Sequence, residues 1–413
     1  MNKTFFSIIF FTVLLISCIP PQENTVNNKL LTRADIIHNN VLTLDSHTDT
    51  PMRLLGSDFD ISKKNNSEIT NSKIDFPRMK EGGQDAAFFA VFIGQGDRTK
   101  DANNEAKVKA LSIFEAIHKN IAKNYNVAEI ALAPADAYRL KKEGKRAIYI
   151  GMENGYPVGT NIKNIEEFYD LGARYITLCH SSNNDICDSS TDSTEHNGLS
   201  EFGRQVVSKM NDLGMIIDIS HVSDKSFYDV MELSKAPIIA SHSCARAICD
   251  NPRNIDDDML KILAENGGVI QMCILSDYVK VIEQDSSRIN AAQPIIDKYN
   301  ILKELSYEEQ QKIFRDWDAL NETNPPKLAT VSDAVDHIDH IVDVAGIDHV
   351  GIGTDFDGGG ELEDCYDVSH IKNITIELVK RGYTENEIEK IWSGNFMRVF
   401  NQVQLTAENL ESL

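Results

Sequence analysis

The residues able to do chemistry in this chain are imidazoles and carboxylates scattered along most of its length: His47 and Asp49, Glu153, His180, His221, His242 and Asp355. His47 and Asp49 stand two apart, so on a continuing strand their side chains share a face and one divalent cation can take both. His221 and His242 supply neutral imidazoles for a second ion, and Glu153 has two oxygens with which to bridge the pair. Imidazole mixed with carboxylate suits zinc, although Mn, Co and Ni accept the same ligand types. Two such ions, about 3.5 to 4 Å apart, polarise a carbonyl and make a bridging hydroxide available near neutral pH, which is the chemistry of a hydrolase.

Three further residues fit around that centre. Asp355, in Gly353-Thr354-Asp355-Phe356-Asp357-Gly358, is expected to take the proton of the attacking water and pass it to a leaving nitrogen. A turn aspartate before glycines is the plainer role, and it is the one assigned to Asp357. His180 is expected to donate a hydrogen bond to the oxyanion of a tetrahedral intermediate. Arg253, in Asn251-Pro252-Arg253-Asn254, can hold a substrate carboxylate through two parallel N–H groups; otherwise it is a surface arginine at a helix start.

Such scattered groups need a scaffold that gathers them. Eight short runs rich in β-branched and aromatic residues alternate with stretches of helical spacing: Val41 to Asp45, Ala86 to Ile93, Ala147 to Met152, Tyr175 to Leu178, Met215 to Ile219, Pro237 to Ala240, Gly268 to Ile274 and Val350 to Thr354. A (β/α)8 TIM barrel uses them all and sets catalytic groups at the C-terminal ends of its strands. Six of the eight runs end in a residue from the set above. The other histidines, at 38, 118, 196, 337, 340, 349 and 370, fall in expected helices, connections or strand starts.

Between the runs, Asn103 to Asn120 reads as a helix with Ala106, Val108, Leu111, Phe114 and Ile117 near one face. Ser223 and Thr384 are expected N-caps, and Gly214 a helix stop. The charged, helix-rich segment 283–328 is too long for a simple connection and reads as a helical insertion before the eighth strand, near the mouth of the site.

With 42% hydrophobic and 25% charged residues the composition is globular, and a net charge of -22 argues against nucleic acid, whose phosphates need a basic face. The N-terminus differs from the rest. Lys3 precedes the apolar run Phe5 to Ile16, too short to span a membrane comfortably, and Leu15-Ile16-Ser17-Cys18 has the form of a bacterial lipobox. The alternative is an ordinary cleaved signal. Residues 1–18 are therefore expected to be a lipoprotein signal with Cys18 as lipid anchor, 19–32 a tether and 33–404 one barrel domain, exported and held at the bacterial cell envelope. The remaining cysteines, at 179, 187, 244, 249, 273 and 365, form no C-x-x-C pair and are expected as buried thiols.

From Val41 to about Phe400 the chain resembles the membrane dipeptidase family, the renal dipeptidase-like metallopeptidases on amidohydrolase-type barrels. The resemblance is carried by DSHTDTP at 45–51, DFPRMKEGG at 75–83, GMENG at 151–155, YITLCHSSNN at 175–184, the block at 198–223, APIIASHSCARAI at 236–248, NPRN at 251–254 and GIGTDFDGG at 351–359. It implies that His47 and Asp49 bind one zinc, that His221 and His242 bind the other, and that Glu153 bridges both. It further implies that His180, Arg253 and Asp355 contact the substrate, with Tyr278 a candidate for its carboxylate. Dipeptides, including L,D-dipeptides, are the implied substrates and a homodimer the implied assembly. Ser46 and Thr48 depart from the Gly and Asn typical of the animal enzymes, which puts substrate preference in doubt but not the ligands. Two rivals are a hydrolase of N-acyl amino acids or lactams on the same scaffold, and a non-catalytic surface lipoprotein.

Overall fold

In the computed structural model the described residues are 21–66, 70, 72–299 and 307–412, so the expected signal segment and Cys18 lie outside them. Nine strands form one parallel sheet: β1 Leu44–Thr48, β2 Ala86–Phe92, β3 Ala128–Ile130, β4 Arg146–Glu153, β5 Ala173–Thr177, β6 Ile216–Asp218, β7 Ile239–Ser243, β8 Val269–Met272 and β9 Val350–Ile352. Their order is β1-β2-β4-β5-β6-β7-β8-β9, with β3 paired only to β4. Eight strands with intervening helices thus make the expected barrel. β3 was not foreseen, because Ala128, Glu129 and Ile130 are too few residues to write a pattern that stands out from a connection.

Closure between β9 and β1 is made by single bonds rather than a ladder. The Asp49 N–H donates to Phe356 O at 2.9 Å, and the Asp355 N–H to His47 O at 3.1 Å. Buried Asp45 reinforces the seam by accepting from Thr354 N at 2.8 Å and Thr354 Oγ1 at 2.5 Å.

Inward-facing rings fill the barrel. Phe88 stacks on Tyr149 with centroids 4.8 Å apart and lies 5.2 Å from Tyr175, while Phe396 and Phe400 of the C-terminal helix Asn395–Glu411 pack beneath at the N-terminal ends of the strands. A packed lower half leaves the C-terminal mouth as the place for polar groups.

Most outer elements follow the sequence. Ser223 accepts from Ser226 N at the head of Asp224–Leu233, Thr384 makes a capping box with Glu387, and Gly214 ends Glu201–Leu213 with φ 70°. One face needs correction: in helix Lys100–Lys123 Val108 is 67% exposed, and the buried stripe runs through Ala106, Ala110, Ile113, Phe114, Ile117 and Ile121. The segment expected as a tether is helical from Pro21, within Pro21–Asn40, and Ala34 and Ile37 of that helix are buried. Helices Ser286–Tyr299 and Tyr307–Thr323 occupy the expected insertion between β8 and β9. All six described cysteines are buried thiols. Among the described residues no helix is long and apolar enough to cross a membrane.

Candidate metal centre

Glu153, the last residue of β4, is the hub of the barrel's C-terminal mouth. Its Oε2 lies 3.4 Å from His47 Nε2; its Oε1 lies 3.1 Å from His221 Nε2, 3.5 Å from His242 Nε2 and 3.8 Å from His180 Nε2. On the first side Asp49 Oδ2 and Asp355 Oδ1 stand 3.8 and 3.9 Å from His47 Nε2. Each carboxylate oxygen therefore faces a different imidazole set, the division expected of a bridge.

Local structure aims these groups. β1 stops at Thr48, yet the turn after it returns Asp49 to the side of His47. His221, Asp355 and Asn154, which follows Glu153, hold φ of 72°, 62° and 74°. Three non-glycine residues in the left-handed region, all at strand ends of one mouth, are strain that persists where surrounding contacts fix it. Asn154 is fixed by donating to Ile93 O at 2.9 Å and accepting from Asn184 Nδ2 at 3.0 Å. Asp357, also at positive φ, accepts from Thr50 Oγ1 and Lys73 N, so it ties together the loops that carry Asp49 and Asp355.

The ring nitrogens of His47 and His242 that face away from the centre are engaged as well. His47 Nδ1 is 2.8 Å from Tyr175 Oη, and His242 Nδ1 is 2.8 Å from Ser241 Oγ. If each Nδ1 carries the proton, each Nε2 turns a lone pair to the centre. Sequence reasoning missed Tyr175 and Ser241. The available signal was a tyrosine inside a strand, whose buried hydroxyl needs a partner.

Electrostatics divide the cluster into two reluctant groups. Burial, then repulsion from Asp49, pushes Asp355 well above the usual carboxylate range and Glu153 up to about 7. Burial, helped by Arg253, depresses His180 to about 4, and burial with the neighbouring charges holds His221 and His242 well below the ordinary imidazole range. Neutral His180, His221 and His242 around carboxylates that resist charging together are a donor set short of positive charge; His47 goes the other way, since although burial opposes it, Tyr175 and Glu153 beside it push it well above the ordinary imidazole range. Buried His47 Nε2 and Asp49 Oδ1 also have no hydrogen-bond partner among the described residues. Divalent cations would satisfy both deficits, and three groups of these residues have ligand atoms close enough to hold one: His47, Glu153 and His242; Glu153, His180 and His221; His47, Asp49 and Asp355.

Arg253 is 4% exposed, so it is not a surface arginine. Its Nη2 donates to His242 O at 3.0 Å and its guanidinium carbon lies 5.2 Å from the centre of the Tyr278 ring. Arg253 and Tyr278 thus stand together beside the cluster. Phe92, which closes β2, meets His180 edge-on at 4.9 Å. The remaining histidines bond elsewhere: His38 to Gly82 O, His118 to Leu171 O, His196 to Asn184 O, His337 to Val279 O, His340 to Asp257, His349 to Gly268 O and His370 to Asp367.

A parallel barrel with imidazoles and carboxylates converging on one buried carboxylate defines a metal-dependent hydrolase scaffold. Residues 31–413 match the profile of the membrane dipeptidase family, peptidase family M19, and the chain belongs to that family of peptide-bond hydrolases. Dipeptidase 3 of Rattus norvegicus is 30% identical over 373 residues, covering 88% of this chain and 66% of the rat protein, so the chain spans about two thirds of that relative. Dipeptidase ataJ of Aspergillus terreus is 29% identical over 404 residues, 91% of this chain and 88% of its own. Among solved structures, the probable dipeptidase PvdM from Pseudomonas aeruginosa superposes with a TM-score of 0.79 at 30% identity over 92% of this chain and 99% of that one.

Proposed function

We propose that this chain is a dipeptidase that uses two zinc ions, one held by His47 and Asp49, the other by His221 and His242, with Glu153 between them. The observation that carries the reading is the hub geometry, in which Oε2 of Glu153 faces His47 and Oε1 faces His221 and His242. When bound, the ions would polarise the scissile carbonyl and supply a nucleophile from water at neutral pH.

The rest is the work of the chain itself. Asp355, whose carboxyl is biased toward holding a proton, receives one at Oδ1 from the attacking water and delivers it to the departing amine. His180, kept partly exposed at the mouth, donates to the oxygen of the former carbonyl as charge develops there. Arg253, with Tyr278 beside it, binds the free carboxylate of a two-residue substrate, so an acceptor placed one residue further away would miss it. That geometry favours dipeptides, L,D-dipeptides included, over longer peptides; an N-acyl amino acid presents its carboxylate at the same distance from the scissile bond, so only hydrolysis itself separates that substrate from a dipeptide. Lipidation at Cys18, a place at the cell envelope and a homodimer complete the proposal.

A panel of L,L- and L,D-dipeptides, tripeptides and N-acyl amino acids tests it directly. Hydrolysis of dipeptides, abolished by a chelator and restored by zinc, is expected; preference for N-acyl amino acids would overturn the substrate assignment.

A further inference from the structure

The seam between β6 and β7 has a single register pair, Asp218 with Ile239, and a side chain makes up for the missing ladder. Asp218 is fully buried. Its Oδ1 accepts from Ser220 N at 3.0 Å and Ser241 N at 2.8 Å; its Oδ2 accepts from Thr177 Oγ1 at 2.5 Å and Ser241 Oγ at 2.6 Å. Two backbone donors and two hydroxyl donors fill the carboxylate. Ser241 therefore spends its only hydroxyl proton on Asp218, and the same oxygen stands 2.8 Å from His242 Nδ1. With no proton left to give, Ser241 Oγ has to accept, so Nδ1 of His242 must be the protonated ring nitrogen. Nε2 then bears the lone pair on the side of Glu153 and His221.

We propose that Asp218 is a positioning residue which, through Ser241, sets the tautomer and orientation of His242 and so makes it a competent ligand for the second cation. This rests on the two-ion reading above and deepens it: a carboxylate two residues away from the centre decides whether one ion is held. An isosteric change separates this role from simple seam-stitching. In Asp218→Asn the backbone N–H groups of Ser220 and Ser241 still need an acceptor and select Oδ1 of the amide. Nδ2 then falls where Oδ2 was and donates to Ser241 Oγ. The serine proton is released toward His242 Nδ1, which must accept, and the ring proton moves to Nε2, where it blocks the metal. The seam keeps its bonds while the direction of the relay reverses.

The full chain, stripped and titrated with zinc against a competing chelator, gives the answer. Wild type is expected to retain two ions, and Asp218→Asn to bind the second at least about 10-fold more weakly, in line with the loss usual when a partner behind a ligand histidine is removed. Ser241→Ala, which deletes the relay without reversing it, is expected to weaken the same ion and not the other. Long-range 15N–1H NMR on histidine-labelled metal-free protein is expected to show the proton of His242 on Nδ1 in wild type and on Nε2 in Asp218→Asn. Both ions held with wild-type affinity in Asp218→Asn, or in Ser241→Ala should the first variant not fold, would overturn the proposal. The readout is metal affinity and not turnover, so a wrong substrate assignment leaves the comparison intact.

Discussion

Each polar residue at the mouth answers a particular demand, and single changes should separate those demands. Asp355→Asn keeps shape and hydrogen-bonding capacity but cannot shuttle a proton. Turnover should fall by about 10²- to 10⁴-fold while zinc content, measured by elemental analysis, stays at the wild-type level. Arg253 touches only the backbone oxygen of His242 and the Ser243 hydroxyl among its close partners, which leaves guanidinium donors for substrate. Arg253→Lys trades a planar fork for a point charge. KM for dipeptides should rise by roughly 10-fold or more, as expected for a lost charged hydrogen bond of about 1.5 to 3 kcal/mol, with a much smaller effect on kcat. Steady-state kinetics on a dipeptide and on its C-terminal amide check this, because the amide should be poor for wild type and no worse for the variant.

At the scale of elements, the strands do two things at once: they pack the barrel below and aim imidazoles and carboxylates above. Gly151 shows the coupling. It pairs with Tyr175 across β4 and β5, and a Cβ placed on it would run into the Tyr175 ring, whose hydroxyl holds His47. Gly151→Ala should therefore displace that ring, lower thermal stability and loosen the ion on His47 and Asp49, although residue 151 is not itself a proposed ligand. Melting curves with and without zinc would show it as a smaller metal-induced gain in Tm than wild type has. The strand ends were legible in the sequence because a buried parallel strand writes a continuous apolar run, and a polar residue that follows it stands out. What lies behind the ligands was not. Tyr175 and Asp218 look like ordinary strand residues until β5, β6 and β7 are set side by side, and Val108 was misplaced because apolar spacing along Lys100–Lys123 fits more than one face.

For the whole molecule the main cost of this arrangement is electrostatic: a chain of net charge -22 gathers Asp49, Glu153 and Asp355 in one buried mouth. Burial and mutual repulsion oppose charging Glu153 and Asp355 together, so the metal-free fold carries a local penalty that no hydrogen bond in the cluster removes. Cations that bind the folded state alone relieve it, and by linkage they must stabilise the fold as a whole. A chelator-stripped sample should melt below the zinc-loaded one. The gain should grow with free zinc, reaching about 2.7 kcal/mol for each site when zinc is a hundredfold above that site's dissociation constant. Calorimetry across a zinc series measures it. The dependence should flatten in Glu153→Gln, where the shared ligand loses its charge, even if that variant is the more stable of the two without metal. A Tm indifferent to zinc in the wild type would mean that these carboxylates are held together for some purpose other than binding cations.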